Sequence, residues 1–198
     1  MRDALVNRPA ANADKRAARL PRSFYARGTV EVARELLGKV IRHGSASARI
    51  VETEAYLGAG DAAAHSARGP TPRTQVIFGP PGHAYVYLIY GMHYCLNIVA
   101  ESEGVAGCVL IRAVEPLVAV TGATLTSNGP GKLTRALGIT LQHYGADLTR
   151  GPITLYESLD PERFEIGISP RIGISQAAEL PLRFFIKGNR FVSREPRR

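Results

Sequence analysis

The stretch Arg49-Ile-Val-Glu-Thr-Glu-Ala-Tyr56 says most about the fold of this chain. It is typical of a β-strand, yet it carries two carboxylates. Side chains alternate between the two faces of a strand, so Glu52, Glu54 and Tyr56 share one face. Taken alone, the octapeptide favours an edge strand with a solvated acidic face over a pocket wall that holds an acid–base residue. The rest of the chain is needed to decide between these two interpretations.

The regions around this strand predict a single compact domain of the α+β class. A chain of 198 residues fits one domain, and 45% hydrophobic residues can fill a core. We expect a mainly antiparallel, curved sheet with a protruding β-hairpin, bordered by short helices. Thr29 is expected to cap the first helix and Gly38 to end it. Strands are predicted at 39–43, 48–56, 84–90, 94–100, 108–114, 153–156, 168–174 and 182–191, and helices at 30–37 and 130–137.

Two segments lack a regular pattern. Residues 1–22 carry six basic side chains and two acidic ones. They predict a basic, flexible or partly helical arm ahead of the domain at 23–198, although an arm without a function fits equally well. Residues 57–82 are dense in Gly, Pro and Ser, and loops of this length are usually functional or disordered.

The charge balance indicates a polyanionic partner. The chain has 25 Lys and Arg against 17 Asp and Glu, a net charge of +8 and a pI near 9.9. Nucleic acid is the first candidate, and an anionic membrane surface or general basicity are the alternatives. No apolar run reaches the ~18 residues that span a bilayer. The charged N-terminus is not a secretory signal, so we expect an intracellular, cytoplasmic protein without a membrane partner.

Cysteine usage agrees with a reducing compartment. The two cysteines, Cys95 and Cys108, both lie in apolar strand-like runs. We interpret them as small buried core residues and not as a disulfide framework or a zinc site.

The predicted hairpin is rich in tyrosine. On its first strand Tyr85 and Tyr87 face one way, while Tyr90 lies beside Gly91 at the turn. Tyr87 can therefore line a pocket, and Tyr90 can project outward as a wedge for a DNA minor groove. The alternative for each tyrosine is an ordinary place in the core.

Two polar side chains interrupt the apolar strands that follow. A buried Asn97 must be hydrogen-bonded, either in a structural network or in a pocket wall. Arg112 lies between apolar neighbours, so we expect it to be partly buried beside a carboxylate, with Glu54 or Glu115 as candidates. Either arrangement is as compatible with a structural role as with a catalytic one.

Two further residues are candidates for binding. His65, with Glu52 and Glu54, could form a divalent-metal site, but no ligand spacing supports one, so we predict no metal. Lys132, just inside a predicted helix, could meet a phosphate, since helix N-termini favour anions. The spacing does not match a P-loop.

Long ordered motifs in this chain resemble the alkyladenine (3-methyladenine) DNA glycosylase family. The resemblance runs from about residue 20 to residue 193, with departures at Thr74 and Leu182, where asparagine and tryptophan are expected. The motifs are RIVETEAYLGA (49–59), FGPPGHAYVYLIYGMHYCLNI (78–98), VLIRAVEPL (109–117), GPGKLTRALGIT (129–140) and PRIGIS (170–175), with shorter matches at 64–66 and 71–73.

The resemblance implies roles for individual residues. Glu54 would activate the attacking water, and Arg112 would be an active-site arginine. Tyr90 would be the wedge that fills the gap in the duplex, and Asn97 would disfavour guanine by crowding its 2-amino group. The remaining walls of the base pocket would be Tyr56, His65 and Tyr87.

The activity implied by the resemblance is hydrolysis of the N-glycosidic bond of a damaged purine flipped out of duplex DNA, without a cofactor. Alkylated and, by extension, deaminated or etheno purines are the expected substrates. We expect a monomer whose partner is double-stranded DNA. Two other functions stay open at this point: a non-catalytic binder of damaged DNA, and a metal-dependent hydrolase that uses Glu52, Glu54 and His65.

Overall fold

The structure, a computed structural model, describes residues 17–118, 127–158 and 163–193. Its strands are β1 Val40–His43, β2 Ala46–Tyr56, β3 Ala84–Ile89, β4 His93–Val99, β5 Cys108–Val118, β6 Ile153–Tyr156, β7 Ile166–Ser169 and β8 Arg183–Ile186. Its helices are α1 Arg22–Tyr25, α2 Thr29–Glu35 and α3 Pro130–Ala136, with 3₁₀ helices at Gln75–Phe78 and Leu141–His143. The predicted α+β class and the antiparallel sheet are confirmed.

Strand β2 lies in the interior of the sheet. The main strand order is β3-β4-β5-β2-β1-β6, and β8 also pairs with β2. Along one side of β2, residues 46–49 pair with β1 and residues 52–54 pair with β8, while β5 runs along the other side. The interpretation of this segment as a solvated edge strand is therefore wrong. Both Glu52 and Glu54 are fully buried.

Helix α2 covers one face of the sheet. Val32 and Ala33 are buried in the core, and the Thr53 hydroxyl of β2 donates to the Ala33 carbonyl at 2.8 Å. The helix is two residues shorter at its C-terminal end than predicted, and Gly38, with φ +82°, turns the chain into β1. The expected cap is wrong, because Thr29 is the first helical residue and its hydroxyl donates to Glu101.

Strands β3 and β4 form the predicted hairpin, in a register that runs from Ala84 opposite Ile98 to Ile89 opposite His93. Tyr90 and Gly91 make its turn, both with positive φ. Helix α3 packs closely against β4. A Cβ on Gly131 of α3 would lie 2.8 Å from the His93 side chain, so only glycine allows this approach.

Two predicted strands are too long. The predicted strand at 168–174 is a strand only within Ile166–Ser169, because Pro170 cannot donate to a ladder and Gly173 turns the chain with φ +76°. The predicted strand at 182–191 is confined to Arg183–Ile186, and Gly188 turns with φ +74°.

The described residues before α1 pair with the edge of the sheet at β6. Residues 1–16 of the predicted arm lie outside the described residues, while the Leu20 amide donates to Leu155 in β6 at 2.9 Å. Within the described ranges no helix is long and apolar enough to cross a membrane.

Candidate active site

A cavity opens between the ends of β2, β3, β4 and β5 and the loop that precedes β8. Its volume is about 180 Å³. A dry protein cavity of roughly 150 Å³ holds benzene, so this one has room for a larger flat ring. Its lining residues are Tyr56, Ala63, His65, Tyr85, Tyr87, Ile89, Cys95, Asn97, Cys108, Leu110, Arg112, Pro130, Ile172, Gly173 and Ile174.

Glu54 lies directly behind this lining and is 0% exposed. The Ile172 amide donates to its Oε1 at 2.8 Å, and the Tyr56 hydroxyl donates to its Oε2 at 3.0 Å. Burial raises the pKa of this carboxyl, while Arg112 and these two hydrogen bonds lower it. Each carboxylate oxygen can accept a further hydrogen bond.

Arg112 lines the cavity from β5 and stands between two carboxylates. Its Nε lies 3.4 Å from Glu52 Oε1, and its Nη1 lies 3.4 Å from Glu54 Oε1. Its side chain is 13% exposed. The expected partial burial and the pairing with Glu54 are confirmed. The alternative partner Glu115 is wrong, because that carboxylate lies beside Arg49, 3.7 Å from its Nε.

The aromatic walls are linked to one another. The rings of His65 and Tyr87 meet edge to face with their centroids 4.8 Å apart, and His65 Nδ1 lies 2.9 Å from the Tyr85 hydroxyl. Burial, and then the charge of Arg73, lower the pKa of His65, which favours the neutral ring at pH 7. Asn97 Nδ2 donates to the Tyr85 carbonyl at 3.1 Å, so the amide is fixed in the wall. The structure therefore brings the four predicted pocket residues, Tyr56, His65, Tyr87 and Asn97, to one cavity.

Tyr90 and Lys132 lie outside the cavity. Tyr90, at the turn of the hairpin, is 81% exposed. Lys132 is exposed on α3 and its Nζ donates to Asn128 Oδ1 at 3.0 Å. The first residue of the same helix, Pro130, lines the cavity. Both side chains therefore stand on elements that border the pocket.

Glu52, to which no role was assigned from the sequence, is fully buried and attaches two distant segments to β2. Its Oε1 accepts a hydrogen bond from Arg183 Nε at 2.6 Å, and its Oε2 accepts one from the Ser193 amide at 2.7 Å. These contacts attach β8 and the segment after it to β2. The Glu52 carboxylate is thus paired with Arg183, whereas His65 lies within hydrogen-bond distance of the Tyr85 hydroxyl. Within the described ranges, no three His, Cys, Asp or Glu side chains form a group that could hold a metal ion.

Cys95 and Cys108 are both buried free thiols, as predicted, and both line the cavity. Burial raises the pKa of both thiols, that of Cys108 to about 12, so they stay protonated and react weakly as nucleophiles at neutral pH.

The segment after β7 contributes to the site, although its residues were not predicted as site residues. Ile172 supplies an amide to Glu54, and Arg171 forms a buried ion pair with Asp61. The available signal was Pro170 and Gly173, which disfavour the continuous strand predicted there and favour a turn.

The site therefore combines an aromatic pocket with a buried carboxylate and an arginine, in a chain of net charge +8. The comparison with known families specifies the class, which is that of the DNA glycosylases, hydrolases of N-glycosyl bonds. The chain belongs to the methylpurine-DNA glycosylase family, whose model matches residues 23–190.

Curated relatives agree with this family over most of their length. A protein of Methanoculleus marisnigri is 48% identical over 190 residues, which is 88% of this chain and 98% of the relative. One of Chlorobaculum tepidum is 46% identical, over 89% of this chain and 91% of the relative. One of Legionella pneumophila strain Lens is 48% identical, over 89% and 98%. Each of the three is named "Putative 3-methyladenine DNA glycosylase".

Proposed function

We propose that this protein flips an alkylated, deaminated or etheno purine out of duplex DNA and hydrolyses its N-glycosidic bond with a water molecule that Glu54 activates. The product is an abasic site. The observation that carries the proposal is the Glu54 carboxylate, held behind an aromatic cavity by Tyr56, Ile172 and Arg112.

The cavity walls suit a damaged purine. Alkylated purines such as 3-methyladenine carry positive charge, which the faces of Tyr56 and Tyr87 attract by roughly 0.5–2 kcal/mol. Asn97 is fixed by its bond to the Tyr85 carbonyl, so it stands as a rigid obstacle to the 2-amino group of guanine. Neutral lesions bind by stacking alone, and the lesion spectrum then depends on the shape of the walls.

The reaction breaks the bond between the sugar C1′ and the base nitrogen. The sugar develops oxocarbenium character, and water attacks C1′ while its proton passes to Glu54. General-base help of this kind is worth about 10²- to 10⁴-fold in rate. Arg112, 3.4 Å from Glu54, favours the anionic form of the base. A cationic purine leaves as a neutral molecule, whereas a neutral lesion also needs a proton.

The hairpin and α3 supply the contacts with the duplex. Extrusion of a base costs a few kcal/mol of stacking and pairing. Tyr90, which is exposed at the hairpin turn, offsets part of this by stacking in the gap. Lys132 meets a backbone phosphate beside the flipped nucleotide. The protein acts on chromosomal DNA in the cytoplasm as a monomer, without a cofactor.

Abasic-site formation tests this function. The protein is incubated with duplexes that carry hypoxanthine, 1,N6-ethenoadenine or 3-methyladenine, and abasic sites are scored by strand cleavage in alkali. We expect abasic sites from at least one lesion, and none from the undamaged duplex. Tight binding of every lesion without any abasic site would identify a non-catalytic binder instead, and activity that EDTA abolishes would identify a metal-dependent hydrolase.

A further inference from the structure

The ion pair between Arg171 and Asp61 lies behind the cavity and has no role in the reaction described above. Arg171 Nη1 donates to Asp61 Oδ2 at 2.6 Å, and Nη2 donates to Oδ1 at 2.8 Å. The two side chains are 0% and 1% exposed. A two-pronged arrangement of this kind fixes orientation as well as supplying energy.

Arg171 contacts both residues that follow Glu54 in β2. Its Nη1 donates to the Ala55 carbonyl at 3.0 Å, and its Cζ lies over the Tyr56 ring at 4.6 Å from the centroid. The hydroxyl of that same ring donates to Glu54. Arg171 therefore fixes the ring that supplies one of the two hydrogen bonds to the carboxylate.

The second hydrogen bond comes from the residue next to Arg171. The Ile172 amide reaches Glu54 Oε1 at 2.8 Å only while the turn at 170–174 keeps its place. Asp61 holds that turn from the other side. Its carboxylate accepts hydrogen bonds from the amides of Leu57 at 3.1 Å and Ala63 at 3.2 Å, in the loop that leaves β2.

We propose that Arg171 and Asp61 are positioning residues, which together hold the Ile172 amide and the Tyr56 hydroxyl against the Glu54 carboxylate. This role rests on the proposed function of Glu54 as the base. Both hydrogen bonds lower the pKa of a carboxyl that burial raises. The ion pair thus favours both the orientation and the anionic form of Glu54.

A purely structural ion pair would behave differently when it is replaced as a whole. Buried ion pairs can often be exchanged for apolar residues of similar volume without loss of stability, since the exchange removes the desolvation of both charges. Loss of one partner alone leaves an uncompensated buried charge. The informative variant is therefore the double replacement Arg171→Met with Asp61→Leu.

A second ion pair in the chain, which is more exposed, provides a control away from the cavity. Arg22 Nη2 lies 2.6 Å from Asp147 Oδ2, and neither residue lines the cavity. The control carries Arg22→Met with Asp147→Leu. Both double variants and the unchanged protein are compared by thermal midpoint, by affinity for a duplex with one hypoxanthine, and by single-turnover excision rate from pH 5 to pH 9.

We expect the double variant at Arg171 and Asp61 to excise hypoxanthine about 10- to 100-fold more slowly at pH 7, with little change in affinity. The acid limb of its rate–pH profile should move to higher pH, because Glu54 loses two hydrogen bonds that favour the anion. The control should keep the wild-type rate and acid limb. Should the double variant fail to fold, Arg171→Lys carries the same test, because it keeps the charge and loses the two-pronged geometry.

A folded variant with the wild-type rate and acid limb would overturn the positioning role. So would a slower rate with an unmoved acid limb, which would leave the pair a structural role alone. Glu54→Gln, measured alongside, separates the two proposals. If Glu54→Gln is inactive and the ion-pair variant is fully active, only the positioning role fails; if Glu54→Gln excises hypoxanthine, Glu54 is not the base and both fail.

Discussion

Glu54 is a carboxylate whose burial and whose partners act in opposite directions. Complete burial disfavours the charge, while Arg112, the Ile172 amide and the Tyr56 hydroxyl favour it. A general base works best when its pKa lies near the working pH, and burial raises the pKa of a glutamate toward that range. Burial is the larger effect and raises the pKa of the carboxyl, so Glu54 accepts a proton more readily than an exposed glutamate does.

The pH dependence of excision tests this balance. Tyr56→Phe removes the hydroxyl that donates to Glu54 Oε2, and so removes one cause that lowers the pKa of the carboxyl. Excision requires the deprotonated form, hence the variant should lose activity at a higher pH than the wild type as the pH falls. The measurement is the single-turnover rate between pH 5 and pH 9 at saturating protein.

The control for this substitution is Tyr25→Phe, since the buried Tyr25 hydroxyl has no hydrogen-bond partner among the described residues and the side chain does not line the cavity. It should leave the acid limb unchanged. An acid limb that stays in place in Tyr56→Phe as well would show that this hydroxyl does not influence the base.

At the scale of single residues, local pattern predicted some partners and missed others. The partial burial of Arg112 beside a carboxylate followed from an arginine in an apolar strand, although the pattern left Glu54 and Glu115 both open as the partner. The role of Glu52 did not, because its partners Arg183 and Ser193 lie 131 and 141 residues further along the chain. Only the pairing of β2 with β8 brings them together.

At the scale of elements, the β3–β4 hairpin keeps a tyrosine in a backbone conformation that suits glycine. Tyr90 has φ +53°, and its side chain is 81% exposed, so no packing compensates for the strain. A left-handed conformation costs an ordinary residue roughly 1–2 kcal/mol. Residues kept in such a conformation cluster at functional sites, which agrees with the proposed wedge.

Tyr90→Gly separates stability from function at this turn. Glycine adopts the left-handed conformation without strain. The strain energy that is removed exceeds the loss of stability, roughly 0.5–1 kcal/mol, that comes from the greater conformational entropy of glycine in the unfolded chain. We expect an equal or higher thermal midpoint together with slower excision from duplex DNA. Calorimetry and the single-turnover assay give the two readouts.

Tyr90→Phe is the matched control, because it keeps both the strain and the aromatic ring, and it should excise at the wild-type rate. If Tyr90→Gly excised the lesion from duplex DNA at the wild-type rate, Tyr90 would not act as a wedge.

The elements themselves were largely predictable, and the errors have a common cause. The hairpin followed from alternating apolar residues around Gly91, and β6 was predicted at its observed bounds. The segments at 168–174 and 182–191 were predicted as longer strands because they are apolar. The chain instead turns at Gly173 and Gly188, and the first of these turns brings the Ile172 amide to Glu54.

At the scale of the whole molecule, the net charge of +8 is the property that bears on DNA. If ~4–6 phosphates are contacted, the logarithm of the binding constant should fall with the logarithm of salt concentration at a slope of about −4 to −5. Titrations of a lesion-containing duplex at several salt concentrations measure this slope. A slope near zero would argue against electrostatic binding of DNA.

Lys132 contributes to that slope if it meets a phosphate. Lys132→Gln should then make the slope less steep by about 1. Lys187→Gln removes the same charge from a lysine that pairs with Glu165 at 2.9 Å, on the segment after β8, and serves as the control. Equal slopes for the two variants would exclude a specific contact of Lys132.

Both the net charge and the family could be predicted from the sequence, and the family is confirmed. The cavity as a whole could not be predicted, because it is assembled from four strands, two loops and the start of α3, which are distant in the chain. The octapeptide at 49–56 illustrates this: its two carboxylates are contacted by Ile172, Arg183 and Ser193, which lie 118 to 141 residues further along the chain.

The most direct test of the central claim, that Glu54 activates the water which breaks the glycosidic bond, is a paired measurement on Glu54→Gln. The substitution keeps the size and shape of the side chain and removes its basicity. Affinity for a hypoxanthine duplex and the single-turnover excision rate are measured on the same preparation. We expect Glu54→Gln to bind the duplex with wild-type affinity and to excise hypoxanthine at a rate reduced by about 10²-fold or more. Excision within a few fold of wild type, at unchanged affinity, would contradict it.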